Sequence, residues 1–178
     1  MQFLSTVFLA ASALASLAAA QNNLYFTNQD STTRTIYFTA QAGLEEIAPL
    51  VVEGLATQVQ SIPENWIGNC YSVSEGAPNV PGMLAEFSFN GYGGATYFDV
   101  SAIVNPNDAN GIKEVFPKDS NTPLSGCQTF PCSNAYNQWD DVATLSSTDT
   151  NFVVLIGNLS NERKRGLVAR VAHEFVTS

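Results

Sequence analysis

Histidine and cysteine are scarce in this chain of 178 residues, with one His (His173) and three cysteines (Cys70, Cys127 and Cys132). A lone His near the C-terminus and three separated thiols leave no nitrogen–sulfur ligand set, so no zinc site is expected. Positive charge is equally sparse. Seven Lys and Arg stand against sixteen Asp and Glu, and four of the seven (Arg163, Lys164, Arg165 and Arg170) follow Asn158. Residues 21–158 hold only Arg34, Lys113 and Lys118 against fourteen acids, a net charge of −11. A body this acidic excludes electrostatic binding to nucleic acid or to an anionic membrane. Neutral polysaccharide, cations or a basic protein remain as partners, and the same charge also serves solubility. No second long apolar run follows the first twenty residues, so neither a membrane anchor nor a GPI-type tail is expected. Internal repeats and low-complexity blocks are absent, and no cofactor is expected. Asp108, Asp140 and Asp141 lack the spacing of a calcium loop.

Residues 1–20 are apolar and small and end in Ala18-Ala19-Ala20. This is the pattern of a cleaved secretory signal peptide. Residues 21–158 then form one domain, long enough to bury a core, and residues 159–178 form a basic tail. The tail carries Arg163-Lys164-Arg165 before Gly166, which reads as a processing site or a solvated, disordered run. Its apolar residues from Leu167 to Phe175 have helical spacing. Secretion implies an oxidising compartment. Cys127 and Cys132 enclose four residues and can close a small loop, which leaves Cys70 as a buried free thiol or an intermolecular handle. Asn158-Leu159-Ser160 is an N-glycosylation sequon.

Short runs rich in β-branched and aromatic residues predict strands at 24–27, 34–39, 56–60, 66–73, 84–89, 97–100 and 151–156. Residues 28–31 read as a hairpin turn between the first two. Residues 44–55 alternate between helical and strand patterns, and Pro49 favours strand. Residues 74–81, 105–111 and 117–131 read as loops. The near-continuous apolarity of 151–156 predicts a buried strand. Seven or eight short strands joined by turn-rich loops predict an all-β antiparallel sandwich or barrel.

Two of these strands each carry one carboxylate, Glu86 and Asp99, on either side of the loop Asn90-Gly91-Tyr92-Gly93-Gly94. If the strands are neighbours and both acids face one cleft, Phe87 and Phe89 must point to the opposite, buried side. Paired carboxyl groups held roughly 5–10 Å apart are what glycoside hydrolysis requires. The same pair can instead hydrogen-bond sugar hydroxyls, or simply be solvated. Aromatic residues add rings for stacking on sugars. Tyr92 and Trp139 are expected at the surface, the latter in a Trp139-Asp140-Asp141 loop whose acids can touch a sugar or accept backbone N–H groups. Tyr71 is a further ring candidate, whereas Trp66 and Tyr97 are expected in the core.

The segment Leu84-Ala-Glu-Phe87, followed by Asp99-Val-Ser101, resembles the thaumatin-like protein family. Tyr25 to Phe38 is similar to that family's opening hairpin, and Trp66-Ile-Gly-Asn-Cys70 to its Trp-Gly-x-x-x-Cys strand. Cys127 and Cys132, the run Cys132-Ser-Asn-Ala-Tyr136, Asp140-Asp141 and the strand from Thr150 resemble later segments in the same order. With three cysteines, the chain is similar to the small, cysteine-poor, secreted fungal group. The resemblance implies a reduced thaumatin-like β-sandwich lacking most of the disulfide-rich subdomain, and a setting in the cell wall during spore germination. It also implies a glycan cleft of one Arg, one Glu and three Asp. Glu86 and Asp99 match the Glu and the first Asp; Val104, with Asp108 nearby, stands at the second; Asn134 stands at the third; the Arg has no counterpart near Trp66.

The expected function is therefore that of a secreted, monomeric, wall-associated protein that binds β-glucan through Glu86, Asp99, Tyr92, Asp108, Trp139, Asp140 and Asp141. One alternative is a weak endo-β-1,3-glucanase using Glu86 and Asp99. Another is an adhesion or effector protein that binds a host or matrix protein.

Overall fold

The computed structural model describes residues 22–108 and 111–159. The leader at 1–20 and the tail from 160 onward, with its helical spacing and basic run, lie outside the described residues. Those described form eleven strands and one short 3-10 turn. They are β1 (Asn22–Asn28), β2 (Arg34–Ala40), β3 (Leu50–Val52), β4 (Thr57–Ile62), β5 (Ile67–Ser74), β6 (Leu84–Ser88), β7 (Thr96–Ser101), β8 (Ile112–Pro117), β9 (Ser125–Gly126), β10 (Leu145–Ser147) and β11 (Asn151–Ile156). A five-stranded sheet has the order β4-β1-β11-β8-β9, and a six-stranded sheet the order β10-β7-β6-β5-β2-β3. The protein is thus an all-β sandwich, as composition and alternation predict. All pairings between named strands are antiparallel except that of β1 with β11, which is parallel.

Residues 28–31 do not form the predicted hairpin. β1 lies between β4 and β11 in one sheet, and β2 between β5 and β3 in the other. Both edges of β1 are already occupied, so the link after it carries the chain across the sandwich. Polar groups fasten this crossing. Asn28 donates through Nδ2 to the carbonyl oxygens of Thr32 (2.7 Å) and Glu53 (3.1 Å). Buried Arg34 donates to Asp30 and to Ser74, each at 2.7 Å. Of residues 44–55, only β3 forms a strand. β8, β9 and β10 carry no strong sequence signal. β8 mixes Lys113, Glu114 and Pro117 into its apolar residues, and the other two are two or three residues long.

β11 is central in its sheet, as its apolarity predicts, but only every second residue is in the core. Phe152, Val154 and Ile156 are fully buried there. Phe152 joins the two sheets: its ring lies 4.9 Å from Phe98, 5.8 Å from Phe87 and 6.2 Å from Phe89, centroid to centroid. Alternation therefore turns the residues between these phenylalanines outward on β6 and β7. Trp66 is buried as expected and donates its indole N–H to the Glu45 carbonyl at 3.0 Å. Cys127 and Cys132 form a disulfide, while Cys70 is a buried free thiol whose ionisation burial suppresses.

Candidate functional site

The β6–β7 hairpin sets the geometry. Its connection places Asn90, Gly93 and Gly94 at φ values of 51°, 70° and 74°. That conformation is strained for most side chains and open to Gly and Asn. This turn brings Glu86 directly opposite Asp99, one step from Phe87 opposite Phe98. The phenylalanines face the core and the acids face outward, over a cleft of about 340 Å³. Glu86 and Asp99 share its lining with Ser88, Tyr97, Ile103, Tyr136, Trp139 and Thr144.

Asp99 is only 7 % exposed, an unusual place for a carboxylate. Its Oδ2 accepts a hydrogen bond from Thr144 Oγ1 at 3.2 Å, and Thr144 in turn sits 2.9 Å from the Tyr136 hydroxyl. With Thr144 donating to Asp99, Tyr136 donates to Thr144. The buried Oδ1 has no amide or hydroxyl donor. The adjacent Glu86 carboxyl can satisfy it only if one of the two acids holds a proton. Burial first, then the Glu86 charge, push Asp99 up to about 7, against the opposing Thr144 hydrogen bond. Burial and the neighbouring acid thus favour the neutral form of Asp99.

Trp139 forms the rim and is 84 % exposed. Its loop is fastened on both sides. Asp141 Oδ2 accepts the backbone N–H groups of Asn137 at 2.7 Å and Gln138 at 2.8 Å. Those two bonds, Asn137 first, lower the Asp141 pKa. Asn137 Nδ2 donates to the carbonyls of Cys132 at 2.8 Å and Ala135 at 3.0 Å, tying the loop to the disulfide. Asp141 therefore serves the turn, and Asp140 is exposed beside Trp139.

Three of the seven residues expected to touch glycan, Glu86, Asp99 and Trp139, meet in the cleft. Tyr92 is 91 % exposed at the hairpin tip, where its carbonyl accepts from the Tyr97 hydroxyl at 3.3 Å. Asp108 lines a different pocket, with Lys113, Gln128 and Asn158. There its Oδ2 accepts the Met83 N–H at 2.9 Å, and the nearby Gly82 and Gly111 leave room for its carboxylate. Asn158 is exposed and donates its backbone N–H to Asp30 at 2.8 Å. Asn134 is a loop tie, donating to the Leu124 carbonyl at 3.1 Å. Tyr97 is corrected from core to cleft wall, because it shares the outward face of β7 with Asp99. Tyr136, Thr144 and Ile103 escaped sequence reasoning. They come from loops and from residues next to β10, and no periodicity marks them.

The arrangement pairs an exposed indole, a phenol and an isoleucine with a floor of carboxyls and hydroxyls. It can stack on an apolar ring face while exchanging hydrogen bonds with the hydroxyls at the ring edge. No group of three or more His, Cys, Asp or Glu suited to a metal occurs among the described residues.

No protein-family model matches the chain. Over 132 residues it is 40% identical to the antigenic protein SchS21 of Stachybotrys chartarum, covering 74% of this chain and 92% of that protein. Its fold is similar to that of the protein elicitor MoHrip2 from Magnaporthe oryzae, with a TM-score of 0.59 and 13% identity, covering 76% of this chain and 98% of that one. The structural likeness carries the fold alone; with the leader-like N-terminus, the likeness to the fungal antigen makes it a secreted, extracellular protein of fungal type. At this identity, over most of both sequences, the chain belongs to the family of the antigenic protein SchS21.

Proposed function

We propose that the protein is a cell-wall protein that binds an uncharged glucan, β-glucan in the first place, and acts in wall remodelling during spore germination. The observation that carries this reading is the cleft itself: Glu86 and Asp99 in register on its floor, with Trp139 at its rim. Asp99, held towards its neutral form beside a second carboxyl, gives the cleft both a donor and an acceptor for sugar hydroxyls. The thaumatin-like resemblance is proposed alongside it, supported by the acids on neighbouring strands and by the Cys127–Cys132 pair.

Hydrolysis is the competing use of the same pair. A retaining glycosidase separates its carboxyls by about 5–5.5 Å and an inverting one by more, so that the anomeric carbon fits between them. Here the two acids are directly opposite each other on adjacent strands, so the same pair is the candidate for that chemistry. The test is sedimentation with insoluble β-1,3-glucan. The wild type is expected in the pellet, and Trp139→Ala and the Glu86→Gln/Asp99→Asn double variant in the supernatant. A wild type that stays in solution overturns the proposal. Sugar released from laminarin by the wild type but not by Glu86→Gln would restore the glucanase reading.

A second reading is favoured by the names of the two similar proteins, an antigen and an elicitor. In it the protein is an effector or adhesin that meets a host or matrix protein through its loops. Host-protein binding that persists in the double variant is its expected signature.

A further inference from the structure

The outward face of the six-stranded sheet continues past the cleft without a break in register. Asp99 and Glu86 are opposite each other, Glu86 is opposite Asn69, and Asn69 is opposite Thr39. These four residues form one polar row across β7, β6, β5 and β2. The row spans three inter-strand steps, about 14 Å at the usual sheet spacing. Two residues along, Tyr71 is opposite Tyr37. Their rings stack at 5.6 Å with an interplanar angle of 21°. Both are half-buried, and the Tyr71 hydroxyl donates to Asn79 Oδ1 at 3.0 Å, which holds the ring upright. Core contacts confirm the facing: Ile36 and Cys70, the neighbours of Tyr37 and Tyr71, are buried inside the sandwich.

We infer that Tyr37, Tyr71, Asn69 and Thr39 form a second sugar subsite on this face, so that the ligand is an uncharged glycan chain lying across the strands from the cleft. The inference rests on the reading of the cleft given above and specifies its ligand. Length follows from geometry, since a single sugar ring cannot reach from Trp139 to the tyrosine pair. Charge follows from composition. The outward positions of β2, β5, β6 and β7 carry no Lys, Arg or His, and Arg34, the one basic residue on these strands, points into the core. Sulfated or uronic-acid chains would find no cation there and would meet the acid pair. The occupant is chosen by continuity with the cleft: polar side chains lie beside aromatic ring faces along one surface, which complements the hydroxyl edges and apolar ring faces of a glucan.

The test is affinity as a function of chain length, using β-1,3-linked gluco-oligosaccharides from disaccharide to hexasaccharide, by calorimetry. Wild-type affinity is expected to rise with length and then level off. Tyr71→Ala is expected to leave the disaccharide unchanged and to weaken the hexasaccharide about tenfold, the scale of one lost aromatic contact. Trp139→Ala is expected to weaken every length. Should Tyr71→Ala fail to fold, NMR on the wild type decides: the ring protons of Tyr37 and Tyr71 shift with hexasaccharide and not with disaccharide. Length-independent affinity, or unmoved tyrosine signals with the cleft occupied, overturns the second subsite and leaves the cleft standing. If no oligosaccharide of any length binds, the cleft reading falls and takes this one with it.

Discussion

Asp99 is an acid in a place that disfavours its charge, and this has a thermodynamic signature. Its folded-state pKa lies above the ordinary value of 3.8, at about 7. Between those two values the unfolded chain gives up the proton while the folded chain keeps it. Stability linked to Asp99 is thus fully present below the ordinary pKa and is lost as pH rises towards 7. Asp99→Asn removes the penalty. It is expected to raise stability at pH 8, by up to about 3 kcal/mol, and to change it little at pH 4; urea denaturation at the two pH values checks this. Asp141 behaves in the opposite way. Backbone donors lower its pKa, so its hold on the turn is present above the ordinary carboxyl range and fades only in strong acid. Asp141→Ala is expected to free the Trp139 loop and weaken glucan sedimentation several-fold, with a near-normal melting temperature. The acid pair was legible in the sequence because alternation and a glycine turn are local. Asp141's part in the turn was one of two readings that the sequence left open, and the hydrogen bonds to Asn137 and Gln138 choose between them.

At the scale of elements, β11 supports the site from behind. Phe152 packs on Phe87, Phe89 and Phe98, whose strands carry the two acids on their far side. Phe152→Ala is expected to cost about 3–5 kcal/mol, as for a fully buried ring, with the loss read by chemical denaturation. The same variant is expected to weaken glucan binding, because the register of β6 and β7 depends on that packing. Strands with strong β-branched or aromatic patterns were visible from sequence, with ends displaced by a residue or two. β8 was not, because Lys113 and Glu114 interrupt its apolar run, and its strand state depends on β11 beside it. The supposed hairpin at 28–31 failed for a related reason. Turn-forming residues indicate that the chain bends, and strand order determines where it goes next.

For the whole molecule, the core of the sandwich carries the stability and the disulfide is a local tie. Cys127 and Cys132 are five positions apart in sequence. A loop this short contributes only about 2 kcal/mol. The Cys127→Ser/Cys132→Ser variant is therefore expected to fold and to lose roughly that amount, while Cys70 stays inaccessible to alkylation until denaturant unfolds the core. The acidic body and an outer face without basic residues point to the same partner class, a neutral polymer without phosphate or sulfate.

The sequence by itself determined the all-β class and the leader pattern, and it posed as open conditions the state of Cys70, the closing of the Cys127–Cys132 loop and the facing of Glu86 and Asp99, which the structure meets. Each of these depends on residues close together in the chain, where periodicity, turn chemistry and spacing are sufficient. Only the tertiary structure decided the parallel pairing of β1 with β11, the crossing between sheets at 28–34 and the membership of the cleft. Thr144 reaches Asp99 across 45 residues of sequence. Tyr136 and Trp139 arrive with it, and Tyr97 turns from expected core to wall. Such contacts are set by which strands become neighbours. Strand order results from burying both sheet faces at once, and no local pattern encodes it.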